Sequence, residues 1–185
     1  MKPEPFIVEL YRNRYGLILE KIPEGEDKTP DFVCSSGSRV LFVTELKTFT
    51  RGEVSEKSGY IFNEEGIYYN EREDNSVGRV RTRIEDAVGQ LRLYKEPKVV
   101  ILLNRDGLDY LDLKEAIDGW LPYSDEKKIY VNKRSTCIAN ALKNHLSQID
   151  LITWIDENER IIYHKYLNER GEDLCRHCFS INNFD

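Results

Sequence analysis

Pro30-Asp31-Phe32-Val33-Cys34-Ser35-Ser36-Gly37-Ser38-Arg39-Val40-Leu41-Phe42-Val43-Thr44-Glu45-Leu46-Lys47 is the stretch whose reading decides the fold. Asp31 opens a short apolar run, Ser35 to Ser38 supply turn chemistry around a glycine, and Arg39 to Lys47 return as a β-rich strand. The two runs form a hairpin that carries Asp31 back toward Glu45. Side chains alternate along a strand, so Glu45 and Lys47 share one face while Leu46 points to the other. A carboxylate and an amine thus project together, with a second carboxylate on the neighbouring strand. Such hard oxygen donors suit a divalent cation. The plainer reading of Glu-x-Lys is a solvated strand face with a cross-strand ion pair.

Working outward, Arg81 to Lys95 reads as an amphipathic helix with Ile84, Val88 and Leu91 on its apolar stripe. At about 100° per residue, Arg83, Ala87, Gln90 and Tyr94 fall on a second stripe beside the first, positioned to face a cleft. Ahead of the hairpin, Phe6, Ile7, Leu10 and Tyr11 have helical spacing after prolines tolerated in a first turn, and Gly16 ends that helix. Leu17 to Ile22 reads as a strand, followed by a loop from Pro23 to Lys28. After the second helix, Val99 to Leu103 is a continuous apolar run typical of a strand buried on both faces. The order is helix, three strands, helix, strand, from about residue 5 to residue 104.

The Pro-Asp dipeptide, the Glu-x-Lys tripeptide and the later Gln90-x3-Tyr94 pair resemble the PD-(D/E)xK nuclease superfamily, in the branch with a Gln-x3-Tyr helix. The resemblance implies an α/β fold with a restriction-endonuclease-like αβββαβ core, its mixed central sheet flanked by helices. It also implies a nuclease that hydrolyses phosphodiester bonds, of DNA in the first place, with Mg²⁺ as cofactor and Mn²⁺ as a substitute. Asp31, Glu45 and the backbone carbonyl of Leu46 are then the metal ligands, with Glu9 of the first helix as a further acid and Glu20 as its fallback. Lys47 holds the attacking water or screens the transition-state charge. Gln90 meets a metal-bound water or a phosphate oxygen, and Tyr94 fixes Gln90 or touches the substrate. Arg79, Arg81 and Arg83 stand at the start of the helix, where exposed amides also favour anions, so they are candidate nucleic-acid contacts.

The 185 residues with 40% hydrophobic content fit a single domain. A formal net charge of −6 and a pI near 5.3 exclude a general appetite for polyanions, so any nucleic acid must be held by local charge. Arg92, Lys95 and Lys98 continue the basic region, whereas Glu53, Glu56, Glu64, Glu65, Glu71, Glu73 and Asp74 make the segment at about 50–78 acidic. Its aromatics Tyr60, Phe62, Tyr68 and Tyr69 suggest an inserted hairpin that clamps substrate, covers the cleft or makes a homodimer contact. The rival in another class is a non-cleaving nucleic-acid- or protein-binding module on the same fold.

Residues 105–185 read as helix and strand additions: a helix over 112–121, a strand at 128–131, a helix from Ser135 to Leu146, and a hairpin of 151–155 with 160–166. Cys175 and Cys178 have metal-ligand spacing, but four cysteines in an intracellular chain are more simply reduced thiols. No apolar run approaches a membrane span and the N-terminus lacks a signal-peptide pattern, so the expected location is the cytoplasm.

Overall fold

The computed structural model describes residues 2–23, 25, 29–50, 60–62, 68–70, 76–106, 108–122, 129–131, 133–156 and 161–179. Helix α1 (Pro3–Tyr15) has proline in its first turn and ends at Gly16, whose φ of 67° is the left-handed conformation glycine tolerates. Strands β1 (Leu19–Lys21), β2 (Phe32–Ser36) and β3 (Arg39–Phe49) form an antiparallel meander. The expected first strand is thus three residues long rather than six, because Leu17 and Ile18 lie in the connection from α1. After β3, β4 (Tyr60–Phe62) and β5 (Tyr68–Asn70) pair as a small antiparallel ladder of their own. This is the backbone of the expected inserted hairpin; its acidic residues Glu53, Glu56, Glu64, Glu65, Glu71, Glu73 and Asp74 lie outside the described residues.

Helix α2 (Ser76–Leu91) buries Val80, Ile84, Ala87, Val88 and Leu91, a helical stripe, and leads into β6 (Lys98–Asn104). It starts five residues before the expected position and stops before Tyr94. Strand β6 runs parallel to β3, Glu45 facing Val100 and Lys47 facing Leu102, and parallel to β9 (Leu151–Asp156). Strand β10 (Ile161–Tyr166) closes the sheet antiparallel to β9, giving the order β1-β2-β3-β6-β9-β10. Between β6 and β9 come α3 (Tyr110–Asp118), the β7/β8 pair (Trp120–Pro122, Ile129–Val131) and α4 (Lys133–Leu146). The helix expected over 112–121 instead stops at Gly119, a left-handed cap with φ 75°.

The mixed sheet is covered on both faces. On one, Val43, Phe49, Val100, Leu102, Ile152 and Trp154 pack against α2, α3 and α4. On the other, Phe42, Leu46, Val99, Ile101 and Ile155 pack against α1 through Ile7 and Tyr11, and against α5 (Glu169–Cys178) through Leu174 and Cys175. Helix α5 escapes an apolar-periodicity reading because only Gly171, Leu174 and Cys175 are buried. Asn168 caps it by accepting from the Gly171 N–H at 3.0 Å, and its charges run acidic to basic, matching the helix dipole. Gly171 is required there: a Cβ would stand 1.9 Å from the Asp150 carbonyl oxygen. Among the described residues no helix is long and apolar enough to cross a membrane.

Candidate active site

The register Phe32↔Thr44 and Val33↔Val43 places Asp31 across from Glu45, so both project from the sheet face that α2 covers. Each carboxylate is tied to the other strand. The Asp31 N–H donates to Glu45 Oε2 at 3.2 Å, and the Leu46 N–H donates to Asp31 Oδ2 at 2.8 Å. Two residues on, Lys47 Nζ donates to Glu45 Oε1 at 2.9 Å and to Gln90 Oε1 of α2 at 2.7 Å. Asp31, Glu45, Lys47 and Gln90 therefore form one connected group spanning two strands and the crossover helix. Leu46 points the other way, into the apolar layer under α1 and α5.

Glu45 is the electrostatic centre of this group. Its side chain is 3% exposed and that of Lys47 17%. Burial pushes the Glu45 carboxyl up from the ordinary 4.5 to about 7; the hydrogen bond from Lys47 pulls it down and the Asp31 charge raises it again. Near neutrality this carboxyl is in part protonated, whereas a carboxylate in water is almost fully ionised.

The remaining candidates are distributed otherwise. Glu9 is exposed on α1, and Ile7 and Tyr11 of that helix pack with Leu46 on the opposite sheet face, so α1 does not bring Glu9 to the group. Glu20 is exposed on β1, across from Val33 and hence on the same face as Asp31. Tyr94 follows the end of α2, its N–H donating to Leu91 O at 3.1 Å, and its ring packs against the core. It has left the stripe that carries Gln90. Arg79 is held by Asp106 at 2.6 Å and lies over the Phe49 ring, a structural engagement at the helix start. Arg81 pairs with Glu85 one turn along at 2.8 Å. Arg83 is half-buried on the same helix with an interaction partner of its own.

Among the described residues no group of three or more His, Cys, Asp or Glu side chains is placed to hold a metal ion. That applies to Cys175 and Cys178 as well: Cys175 is buried in the apolar layer, and burial pushes its thiol up to about 11. Two adjacent carboxylates do fit Mg²⁺, which is commonly bound through one or two carboxylates plus water and substrate phosphate. Beyond the water or phosphate contact expected of Gln90, its side-chain oxygen accepts from Lys47. Strand alternation gave no hint of this pairing, because it depends on how α2 docks on β3.

Comparison with known proteins yields no matching family model, no matching curated protein and no matching solved structure.

Proposed function

We propose that this protein is a divalent-metal-dependent nuclease that hydrolyses phosphodiester bonds, with DNA as the first substrate class, on a restriction-endonuclease-like core. The observation that carries the reading is the Lys47 ammonium bridging Glu45 on β3 and Gln90 on α2, with Asp31 anchored directly opposite. The topology supports it: α1, the β1-β2-β3 meander, α2 and β6 follow one another as αβββαβ, with the β4/β5 pair inserted between β3 and α2.

A bound Mg²⁺ or Mn²⁺ would supply a neutral-pH nucleophile and counter-charge for the phosphate oxygens. Asp31 and Glu45 would hold it, with the Leu46 carbonyl as a backbone donor. Lys47, fixed from two sides, is pre-oriented to donate to an incoming water or to a phosphate oxygen without reorganising. Gln90 holds the ammonium from the α2 side while Glu45 holds it from β3. A buried ion pair is a weak source of stability, since desolvation offsets its Coulomb attraction, so an ion pair set into the core beside a second carboxylate favours a working site over a merely structural one.

The test is incubation with supercoiled plasmid, linear duplex, single-stranded DNA and RNA, each with Mn²⁺ and with EDTA. Cleavage of at least one substrate with Mn²⁺ and none with EDTA is expected. Binding without cleavage of any of the four would instead favour the non-cleaving module.

A further inference from the structure

On the sheet face away from Glu45 and Lys47, helix α5 and the beginnings of β3 and β6 enclose an open groove of about 540 Å³. Its floor is apolar: Leu41 of β3, Pro97 just before β6, and Leu174 of α5. Its rim is polar and converges from separate elements, with Arg39 at the start of β3 and Arg170, Asp173 and His177 on α5. The α5 residues recur at helical spacing, so one face of the helix supplies a whole wall.

The two guanidinium groups are presented differently. Arg170 donates to the Lys95 carbonyl at 3.0 Å and lies 3.8 Å from Asp150. These contacts fix its plane and use only part of its five donors. Arg39 is exposed and makes no ion pair among the described residues. Guanidinium groups bind phosphate by paired, charge-assisted hydrogen bonds, and His177 adds a ring nitrogen. The apolar floor suits the face of a flat ring, and Asp173 offers the acceptor that a sugar hydroxyl needs. Sites of this volume and mixed lining hold small organic ligands.

We propose that this groove binds one nucleotide unit, its phosphate on Arg39, Arg170 and His177, its ring on Leu41, Pro97 and Leu174, and a sugar hydroxyl on Asp173. The inference goes beyond the nuclease reading and does not rest on it, because it concerns metal-free binding on the other sheet face. The nucleotide unit comes either from a free mononucleotide or from the phosphorylated end of a strand.

The experiment is isothermal titration calorimetry in EDTA with three probes: AMP, a 5′-phosphorylated oligoribonucleotide and the same strand with a 5′-hydroxyl. AMP binding assigns the free nucleotide, while binding of the phosphorylated strand but not its hydroxyl twin assigns the strand end. Either result supports the site when Arg39→Glu and His177→Ala, both at exposed positions, weaken binding, the former by about tenfold or more as for loss of a charge-assisted contact. Lys47→Ala should leave the titration unchanged, which separates this site from the candidate active site. The proposal is overturned if neither AMP nor the phosphorylated strand binds. It is equally overturned if Arg39→Glu and His177→Ala, melting as the native protein does, bind like the native protein.

Discussion

Replacing Glu45 with glutamine tests the electrostatics of the site directly. In the folded chain the carboxyl titrates near 7 against an ordinary 4.5, chiefly through burial. A tenfold change in acid constant corresponds to about 1.36 kcal/mol, so keeping Glu45 ionised in the fold costs roughly 3 kcal/mol relative to the unfolded chain. The folded state binds the proton more tightly. Stability from this group is therefore fully present below pH 4.5 and is lost as pH rises through 7. Glu45→Gln should remove that loss. It keeps an oxygen for the Lys47 ammonium at Oε1 but cannot also accept from the Asp31 N–H, a hydrogen bond worth about 1 kcal/mol. The variant should accordingly be about 2 kcal/mol more stable than the native protein at pH 8 and indistinguishable or slightly weaker at pH 4.5. Urea unfolding followed by circular dichroism at half-unit pH steps measures both chains. Parallel stability curves for the two between pH 4.5 and 8 would refute the reasoning, since Glu45 would then titrate as it does in water. Added Mg²⁺ should stabilise the native protein more at pH 8 than at pH 5.5, because cation and proton compete for one carboxylate, and Glu45→Gln should lose most of that response.

Lys47→Ala should retain the Mg²⁺-induced rise in melting temperature and the affinity for substrate but lose cleavage by about a hundredfold or more, the scale of one transition-state contact; an unchanged rate would make the tripeptide incidental. Arg83→Ala should weaken nucleic-acid binding and reduce its salt slope by about one, with the rate at saturation preserved, as fluorescence anisotropy and single-turnover kinetics would report. Leu46→Ala should cost about 2 to 5 kcal/mol in urea unfolding, because the side chain lies in the apolar layer beneath α1. Gly171→Ala should destabilise by about 3 kcal/mol or more, since its methyl would overlap the Asp150 carbonyl and that oxygen belongs to the backbone. Near-native melting of this variant would show that α5 can shift on the sheet.

The parts of the fold legible in the sequence are those written in strong periodicity or turn chemistry. The β2/β3 hairpin announced itself through Gly37 between two apolar runs, and Gly37 takes a left-handed φ of 60°. Strand β6 was legible because burial on both faces leaves an unbroken apolar run. Helix ends were not: hydrophobic spacing continued to Tyr94, yet Arg92 and Leu93 already form a turn. Within the site, period-two alternation was enough to place Glu45 and Lys47 on one face, whereas Asp31 shares that face through a register shift beside Cys34 and Ser35 that alternation does not announce. The placement of Glu9 was illegible for a different reason. Position on a helix says which residues share a stripe, but not which sheet face the helix will cover, and α1 covers the face carrying Leu46.

The physical contrast between two buried charged groups bears on the candidate site. Asp150 accepts from the Lys98 N–H at 2.7 Å and lies beside Arg170, while its own N–H donates to the Lys98 carbonyl and its carbonyl accepts from the Leu167 N–H. Every one of those contacts ties the start of β6 to the start of β9 or to the segment after β10, so the charge serves the fold. Glu45 accepts from the Asp31 N–H across the ladder and from Lys47 on its own strand, but its environment opposes its ionisation: it is buried, next to another carboxylate, on a strand face where Val43 and Phe49 are apolar core. Leucine or methionine at 45 and 47 would continue that core, and replacing buried ion pairs with apolar residues is often neutral or stabilising. Stability alone is thus a weak reason for Glu45 and Lys47 at these positions, whereas a cation between the two carboxylates would relieve their repulsion. The stability forgone at this point of β3 is what a binding event there would recover, and the pH-dependent response to Mg²⁺ is its direct measure.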